Sequence, residues 1–316
     1  MNLRNLFGLL LLLLLPACAH TLAASSAPAV AGVPDLHVDE ERAVVVGVAE
    51  QVETHYVHGA KARTIAAQLR SDAARGAFDH NVNPRELAGV LTDRLKREDL
   101  HFRVSWEPPA AADAKERTAA QATMSDELRG KRFNQWFRKL EILPGNVGYI
   151  QLDEFADLDI QSGAGSPADS TAMRTADAAL AFVQNTDALI FDLRDNGGGG
   201  EMTNYLLSHY LPPELVLGTM RGRTESTETR TLSRIGGLRR LDVPIYVLIS
   251  GRTASAAEFF TYSLQMRKRA TVVGEPSAGA TNPYEDFEAG HGFVVSVSVA
   301  EPIDALSGTN WENGGV

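Results

Sequence analysis

The 316-residue sequence predicts an α/β protein, with a layered core of parallel strands that follows a small helical region. Apolar runs at residues 187–193, 243–249 and 270–274 have the near-continuous hydrophobicity of strands that are covered on both faces. Helical patterns at 202–210 and 255–266 separate these runs, and such alternation favours parallel strands joined by right-handed crossovers. Apolar residues that recur every four positions near the N-terminus predict the helical region.

The first 18 residues have the pattern of an export signal. Arg4 precedes an apolar run at 6–15, which is too short to cross a bilayer at roughly 20 residues per span. The run ends in Leu-Pro-Ala-Cys, which resembles a lipobox, so we expect cleavage before Cys18, lipidation of that cysteine and a membrane anchor in the periplasm. Cleavage after Ala19 is the alternative, and it would release a soluble secreted protein.

Composition narrows the possible partners. The sequence has 30 Lys and Arg against 40 Asp and Glu, a net charge of −10, which argues against nucleic acid. Cys18 is the only cysteine, so the mature chain can form no internal disulfide. The histidines and carboxylates lack the paired H-E-x-x-H spacing of a metal site, and export argues against a nucleotide. We therefore expect neither a metal nor another cofactor.

The pattern along the chain predicts five segments. They are a signal peptide at 1–18, a flexible Ala-, Ser- and Pro-rich tether at 19–38, a helical cap domain at 39–106, a charged linker or excursion at 107–144, and the α/β core at 145–316.

Within the cap, an apolar stripe from Val44 to Tyr56 recurs every four residues and predicts a helix. Asn83 followed by Pro84 is a typical helix start, with an N-cap residue and a proline in the first turn. Apolar and polar residues then alternate from Phe102 to Trp106, which predicts a strand.

Within the core, 147–152 reads as a strand and 170–184 as a helix, in addition to the runs above. Residues 293–299 alternate and predict one more strand. Four glycines at 197–200 follow the strand at 187–193. Such a loop can turn its N–H groups inward to form an oxyanion hole or a phosphate cradle. It has no Gly-Lys-Ser/Thr, which excludes a P-loop, and a simple tight turn is the alternative.

A serine follows the apolar strand at 243–249. Ser255 opens a helix, where the positive end of the helix dipole favours developing negative charge, and its small neighbours leave the hydroxyl accessible. The N–H of Ala256 has no acceptor within the helix and is free to bind an oxyanion. Serine is also a favoured N-cap residue, so capping alone is the alternative interpretation.

A histidine lies just before the first predicted strand. His101 follows Asp99 and precedes the alternating residues that begin at Phe102. Histidine can act as a general base near neutral pH, and the alternative is a structural histidine.

Taken together, these residues resemble the tail-specific (C-terminal processing) protease superfamily. The resemblance rests on five motifs in the same order: D-x-H at 99–101, D-L-R-x-N-x-G-G at 192–199, S-A-x-E at 255–258, R-A-x-V-V-G-E-P at 269–276 and N-W-E-x-x-G-V at 310–316. It implies a crotonase-like α/β core and a serine nucleophile.

The two branches of this superfamily differ in their base. The processing-protease branch has a lysine after a G-E-P-T-x-G turn; here the turn is 274–279, and Ala280 stands where that lysine would be. Lys268 precedes the strand and is misplaced for this role. The number of residues between Trp106 and Gly145 is also only about half of the length of a PDZ domain, so we expect no such domain there.

The other branch resembles the tricorn protease core and the repeats of interphotoreceptor retinoid-binding protein. Its enzymes use a histidine base, assisted by a glutamate and a further serine. His101 and Glu312 fall on the matching motifs, whereas Leu100 occupies the place of the assisting serine.

The resemblance therefore implies an exported serine peptidase that acts on peptides or unfolded proteins. Ser255 would be the nucleophile, His101 the base and Glu312 the group that supports it, with the N–H groups of Gly198 and Ala256 as the oxyanion hole. A binding module for an apolar ligand or peptide, which keeps the fold without catalysis, is the alternative. Because the superfamily pattern continues beyond the final Gly-Gly-Val, we also expect the core to be cut short.

Overall fold

A computed structural model describes residues 35–80, 83–108, 128–158 and 170–316. In these residues the main sheet has five strands in the order β2-β3-β4-β7-β8. The strands of this sheet are β2 (Phe137–Leu143), β3 (Val147–Leu152), β4 (Ala188–Asp192), β7 (Ile245–Ile249) and β8 (Ala270–Gly274).

The strands from β3 to β8 run parallel, and β2 is an antiparallel edge strand. Leu189, Phe191 and Val247 share one face of the sheet and are fully buried. On the other face Ile190 and Leu248 are half-buried and Tyr246 is exposed, so the expectation that both faces are fully covered is wrong for these strands. The helices that follow these strands are α4 (Thr171–Phe182), α5 (Met202–Tyr210) and α6 (Ala256–Met266). The predicted α/β class and the parallel order of these strands are confirmed.

Two smaller antiparallel sheets complete the described strands. One has the order β1-β10-β9, and the other has the order β11-β5-β6. Their strands are β1 (Arg103–Trp106), β5 (Val216–Gly222), β6 (Ser226–Arg230), β9 (Tyr284–Gly290), β10 (Phe293–Ser298) and β11 (Ala300–Asp304). The predicted strand at 293–299 is therefore present, but it lies outside the parallel sheet.

Three helices precede β1, namely α1 (Val38–His55), α2 (Gly59–Ala74) and α3 (Pro84–Leu95). The stripe predicted from Val44 to Tyr56 is buried. Asn83 caps α3 as predicted, because its Oδ1 accepts the N–H of Arg85 at 2.9 Å.

The helical region is joined to the C-terminal strands. β1 pairs with β10, with Val104 opposite Val295. α1 packs on β9 so closely that a β-carbon at Gly47 would lie 2.3 Å from the carbonyl oxygen of Ala289. These contacts place the turn after α3, which carries His101, beside residues from the far end of the chain.

The signal peptide, Cys18 and most of the tether lie outside the described residues, as does most of the predicted excursion. Within the described ranges, every helix is too short or too polar to cross a membrane.

Candidate active site

The loop after β4 is fixed by the buried side chain of Asn196. Its Nδ2 donates to the carbonyl of Leu152 at 2.9 Å, and its Oδ1 accepts the N–H of Gly198 at 2.9 Å. Its own carbonyl accepts the N–H of Ala254 at 3.1 Å. The side chain and the carbonyl of this one residue therefore join β3, the glycine loop and the segment that precedes Ser255.

The glycines of this loop are required by both conformation and space. Gly198 has φ +118° and Gly199 has φ +119°, in the region that favours glycine. Phe155 brackets the loop, since its N–H donates to Gly198 and its carbonyl accepts from Gly200, both at 2.7 Å. The N–H of Gly199 has no acceptor in the described part of the chain.

Ser255 begins α6 in a conformation that is rare for a side-chain-bearing residue. Its φ is 54° and its ψ is −121°. A non-glycine residue at positive φ costs on the order of 1–3 kcal/mol and persists only where its surroundings hold it, as at many active sites. Two acceptors hold it here: its N–H lies 2.9 Å from the Ala280 carbonyl and 2.8 Å from Glu258 Oε2.

Glu258 is the main support of this turn. It is fully buried, and each carboxylate oxygen accepts two donors. Oε1 accepts the Ser277 hydroxyl at 2.6 Å and the Gly279 N–H at 2.7 Å, and Oε2 accepts the N–H groups of Ser255 and Ala280. From the sequence, Glu258 was identified only as the last residue of the S-A-x-E motif. Its position at N3 of a capping box was the signal that could have revealed its role.

At the position where the processing-protease branch has its lysine base, this chain has Ala280. Ala280 lies directly against Ser255 through the hydrogen bond described above. Lys268 lies beyond the opposite end of α6, an 11-residue helix that spans about 16 Å at 1.5 Å per residue.

His101 lies in the turn between α3 and β1, beside a buried carboxylate. Its Nδ1 is 3.3 Å from Asp99 Oδ1, and its N–H donates to the same oxygen at 2.8 Å. The Asp99 side chain is 3% exposed and that of His101 is 11% exposed. Leu100, between them, is exposed, so this position supplies no polar group to the site.

Glu312 lies on the other side of this cluster. It forms a cluster with Asp99 and His101, in which one potential metal-ligating atom of each residue lies within 4.8 Å of the others. In the described ranges this is the only such group that could share a metal ion. Several of these oxygens already accept N–H groups of the chain, since Glu312 Oε2 accepts that of Thr281 at 2.8 Å. Sequence spacing did not reveal that Asp99 belongs to this cluster.

The two carboxyls of the cluster have pKa values that are shifted in opposite directions. Burial would raise the pKa of Asp99, but the adjacent imidazole and the backbone N–H of His101 outweigh burial and lower it to about 2. Burial raises the pKa of Glu312, the Thr281 N–H opposes that shift, and the charge of Asp99 adds to it. Such opposed shifts are typical of sites that divide roles between two carboxyls.

The serine and the histidine cluster flank one segment of chain. Ala280 contacts Ser255, and the next residue, Thr281, contacts Glu312. In the described residues no hydrogen bond joins Ser255 to His101. Catalytic hydrogen bonds often form only when substrate is bound, so this arrangement is compatible with a serine and its base.

A cavity of about 320 Å³ opens beside Ser255. Gly199 and Ala256, whose N–H groups have no acceptor in the described ranges, lie at this cavity. Its apolar wall includes Met220, Phe259 and Pro302. The cavity thus joins a hydroxyl, backbone donors and an apolar surface, which is the composition of a binding site for a substrate with an apolar side chain.

The sequence profile of peptidase family S41 matches residues 146–316, which is more than half of the chain. The chain belongs to peptidase family S41. This part of the S41 chain contains the glycine loop, Ser255 and Glu312, whereas His101 precedes it.

A curated relative agrees with this assignment. The S41 chain is 31% identical over 161 residues to a carboxyl-terminal-processing protease of Synechocystis, covering 50% of this chain and 34% of that protein. It therefore spans about a third of the length of that relative.

Two solved structures share the fold over most of both chains. A candidate peptidase of Parabacteroides merdae superposes with a TM-score of 0.57 at 17% identity, covering 89% of this chain and 88% of that one. The photosystem II D1 C-terminal processing protease superposes with a TM-score of 0.53 at 15% identity, covering 87% of this chain and 91% of that one.

Proposed function

We propose that this chain is a serine peptidase that hydrolyses peptide bonds in peptides or unfolded proteins. The observation that carries the proposal is the geometry of Ser255, which is held at positive φ at the start of α6. It lies beside the N–H groups of Gly199 and Ala256, which have no acceptor among the described residues. Membership of a peptidase family supports the reaction class.

The first chemical step is attack by Ser255 Oγ on the carbonyl carbon of the scissile bond. His101 accepts the hydroxyl proton and donates it to the leaving amine, which gives an acyl-enzyme and a free amino group. A water molecule then gives a proton to His101 and attacks the ester, and release of the acid regenerates Ser255.

The oxyanion of each tetrahedral intermediate is bound by backbone N–H groups. Ala256 supplies one, as the sequence suggested. The N–H of Gly198 already donates to Asn196, so we assign the second donor to Gly199, which lines the cavity. Loss of one such donor typically costs about 10²–10³ in turnover.

The apolar wall of the cavity supports a substrate with an apolar side chain next to the scissile bond. We further propose that the protein works outside the cytoplasm, anchored to a membrane through lipidated Cys18, with secretion after cleavage at Ala19 as the alternative.

Labelling of the mature protein with a fluorophosphonate probe tests the nucleophile. We expect labelling of the parent protein and none of the Ser255→Ala variant. A matched Ser263→Ala variant removes a buried serine hydroxyl elsewhere on α6 and controls for folding and for labelling of other serines. A folded parent protein that is not labelled would contradict the proposal and favour the binding module instead.

A further inference from the structure

We propose that Asp99 is the positioning residue that selects the tautomer of His101, and that Glu312 instead anchors the segment beside Ser255. The inference rests on the proposed function, because it assigns a role to His101 as base. It reverses the assignment implied by family resemblance, in which Glu312 supports the histidine.

Asp99 is positioned for this role by its own turn. Its Oδ1 accepts the backbone N–H of His101 two residues later, which is the geometry of an Asx turn. The turn is closed further by the Asp99 carbonyl, which accepts the N–H of Phe102 at 3.2 Å. The carboxylate is therefore fixed relative to the backbone of His101 by local hydrogen bonds.

The same oxygen is the acceptor that Nδ1 can reach. The contact is 3.3 Å long and is not aligned as a full hydrogen bond, and Nδ1 has no other hydrogen-bond partner in the described residues. A small rotation of the ring completes the bond. An acceptor at Nδ1 favours the tautomer that carries its proton there, which leaves the Nε2 lone pair free to take a proton from Ser255.

Charge separates the roles of the two carboxyls. The low pKa of Asp99 keeps it ionised at neutral pH, so it can stabilise the imidazolium that forms during the reaction. The pKa of Glu312 is shifted in the opposite direction, chiefly by burial, so its ionised form is less favoured than that of Asp99.

Contacts assign Glu312 to the backbone instead. Its Oε2 accepts the N–H of Thr281, and Thr281 lines the cavity that contains Ser255. Its Oε1 is buried without a hydrogen-bond partner in the described residues. Glu312 thus holds the 280–282 segment in place beside the nucleophile.

The test compares two isosteric changes, Asp99→Asn and Glu312→Gln, in protein labelled with ¹⁵N-histidine. The His101 signals are assigned by their absence from the His101→Gln protein, and the Ser255→Ala background is used, so no activity is needed. We expect the Nδ1-protonated tautomer in the parent and in Glu312→Gln. In Asp99→Asn the amide can donate to Nδ1, so we expect the Nε2-protonated tautomer.

Kinetics with intact Ser255 provide the second readout. We expect Asp99→Asn to lower kcat by about 10³–10⁴ with little change in KM, as for loss of the orienting carboxylate in a serine triad. Glu312→Gln should lower kcat less and raise KM, because it loosens the cavity wall. Asp93→Asn, an exposed aspartate on α3, is the matched control.

Two results would overturn the inference: an unchanged tautomer in folded Asp99→Asn, or a tautomer that changes in Glu312→Gln alone. Absence of peptidase activity in the parent would overturn the proposed function and leave the tautomer result to stand by itself.

Discussion

Gly198 lies so close to Ser255 that a β-carbon on the glycine would be 2.7 Å from the β-carbon of the serine. Carbon atoms pack at about 3.5–4 Å, so no other residue fits at position 198 without displacing the nucleophile. The positive φ of Gly198 adds strain to any substitution.

We therefore expect Gly198→Ala to lower the rate of fluorophosphonate labelling by at least about 10²-fold, comparable to the loss of an oxyanion donor. Gly197→Ala is the matched control, since a β-carbon there meets no atom within 4 Å. Both rates are measured by quenching the labelling reaction at successive times and quantifying the labelled protein on a gel. Equal rates in the two variants would show that the contact at Gly198 does not hold Ser255 in place.

Glu258→Gln should destabilise the protein as well as inactivate it. The buried carboxylate accepts four hydrogen bonds, two at each oxygen. In glutamine an NH2 group replaces one of these oxygens, so two donors would face another donor instead of an acceptor. We expect a loss of about 2–4 kcal/mol in the free energy of unfolding, measured by urea denaturation. Exposed Glu275→Gln in the neighbouring turn serves as the control. A Glu258→Gln protein as stable as that control would contradict the role given to Glu258.

Met220→Trp should narrow the apolar cavity beside Ser255. We expect a higher KM for peptides with a large apolar residue next to the scissile bond, and little change for peptides with alanine there. Met220→Leu keeps the volume and should behave as the parent protein does. The readout is kcat/KM for a peptide series that differs at this residue only; uniform losses across the series would place the substrate side chain elsewhere.

The charge of Asp99 should make stability depend on pH. Its pKa is lowered to about 2 in the folded protein from an ordinary 3.8, so the folded state favours the ionised form. This contribution is fully present above about pH 4 and is lost as the pH falls towards 2. At about 1.4 kcal/mol per pH unit, it amounts to about 2 kcal/mol.

Urea denaturation at several pH values between about 5 and 2.5 checks this expectation. The stability difference between the parent and Asp99→Asn should shrink as the pH falls. A difference that stays constant over this range would mean that Asp99 is not held ionised by His101.

The α/β core was predictable because its central strands carry near-continuous apolar runs such as Ala188–Asp192, although only one face of these strands is fully buried. The sheet of β11, β5 and β6 gave no such signal. All residues of β6 (Ser226–Arg230) are polar and largely exposed, so neither alternation nor an apolar run marks the strand.

The individual site residues were predictable from the sequence, but the contacts between them were not. Ser255 and the glycine loop are marked by their positions after buried strands. The approach of Glu312 to Asp99 depends on tertiary pairing between β1 and β10, which are separated by almost 190 residues. No local pattern encodes such a contact. Three of the four donors to Glu258 depend in the same way on a turn about 20 residues away.

The pairing of β1 with β10 also orders events in time. The turn that holds His101 cannot acquire its partner strand until residues 293–298 are free to fold, although these residues follow β1 by almost 190 positions. If Ser255 and His101 act as proposed, the protein acquires its activity only in a late step of folding, after nearly the whole chain has become available.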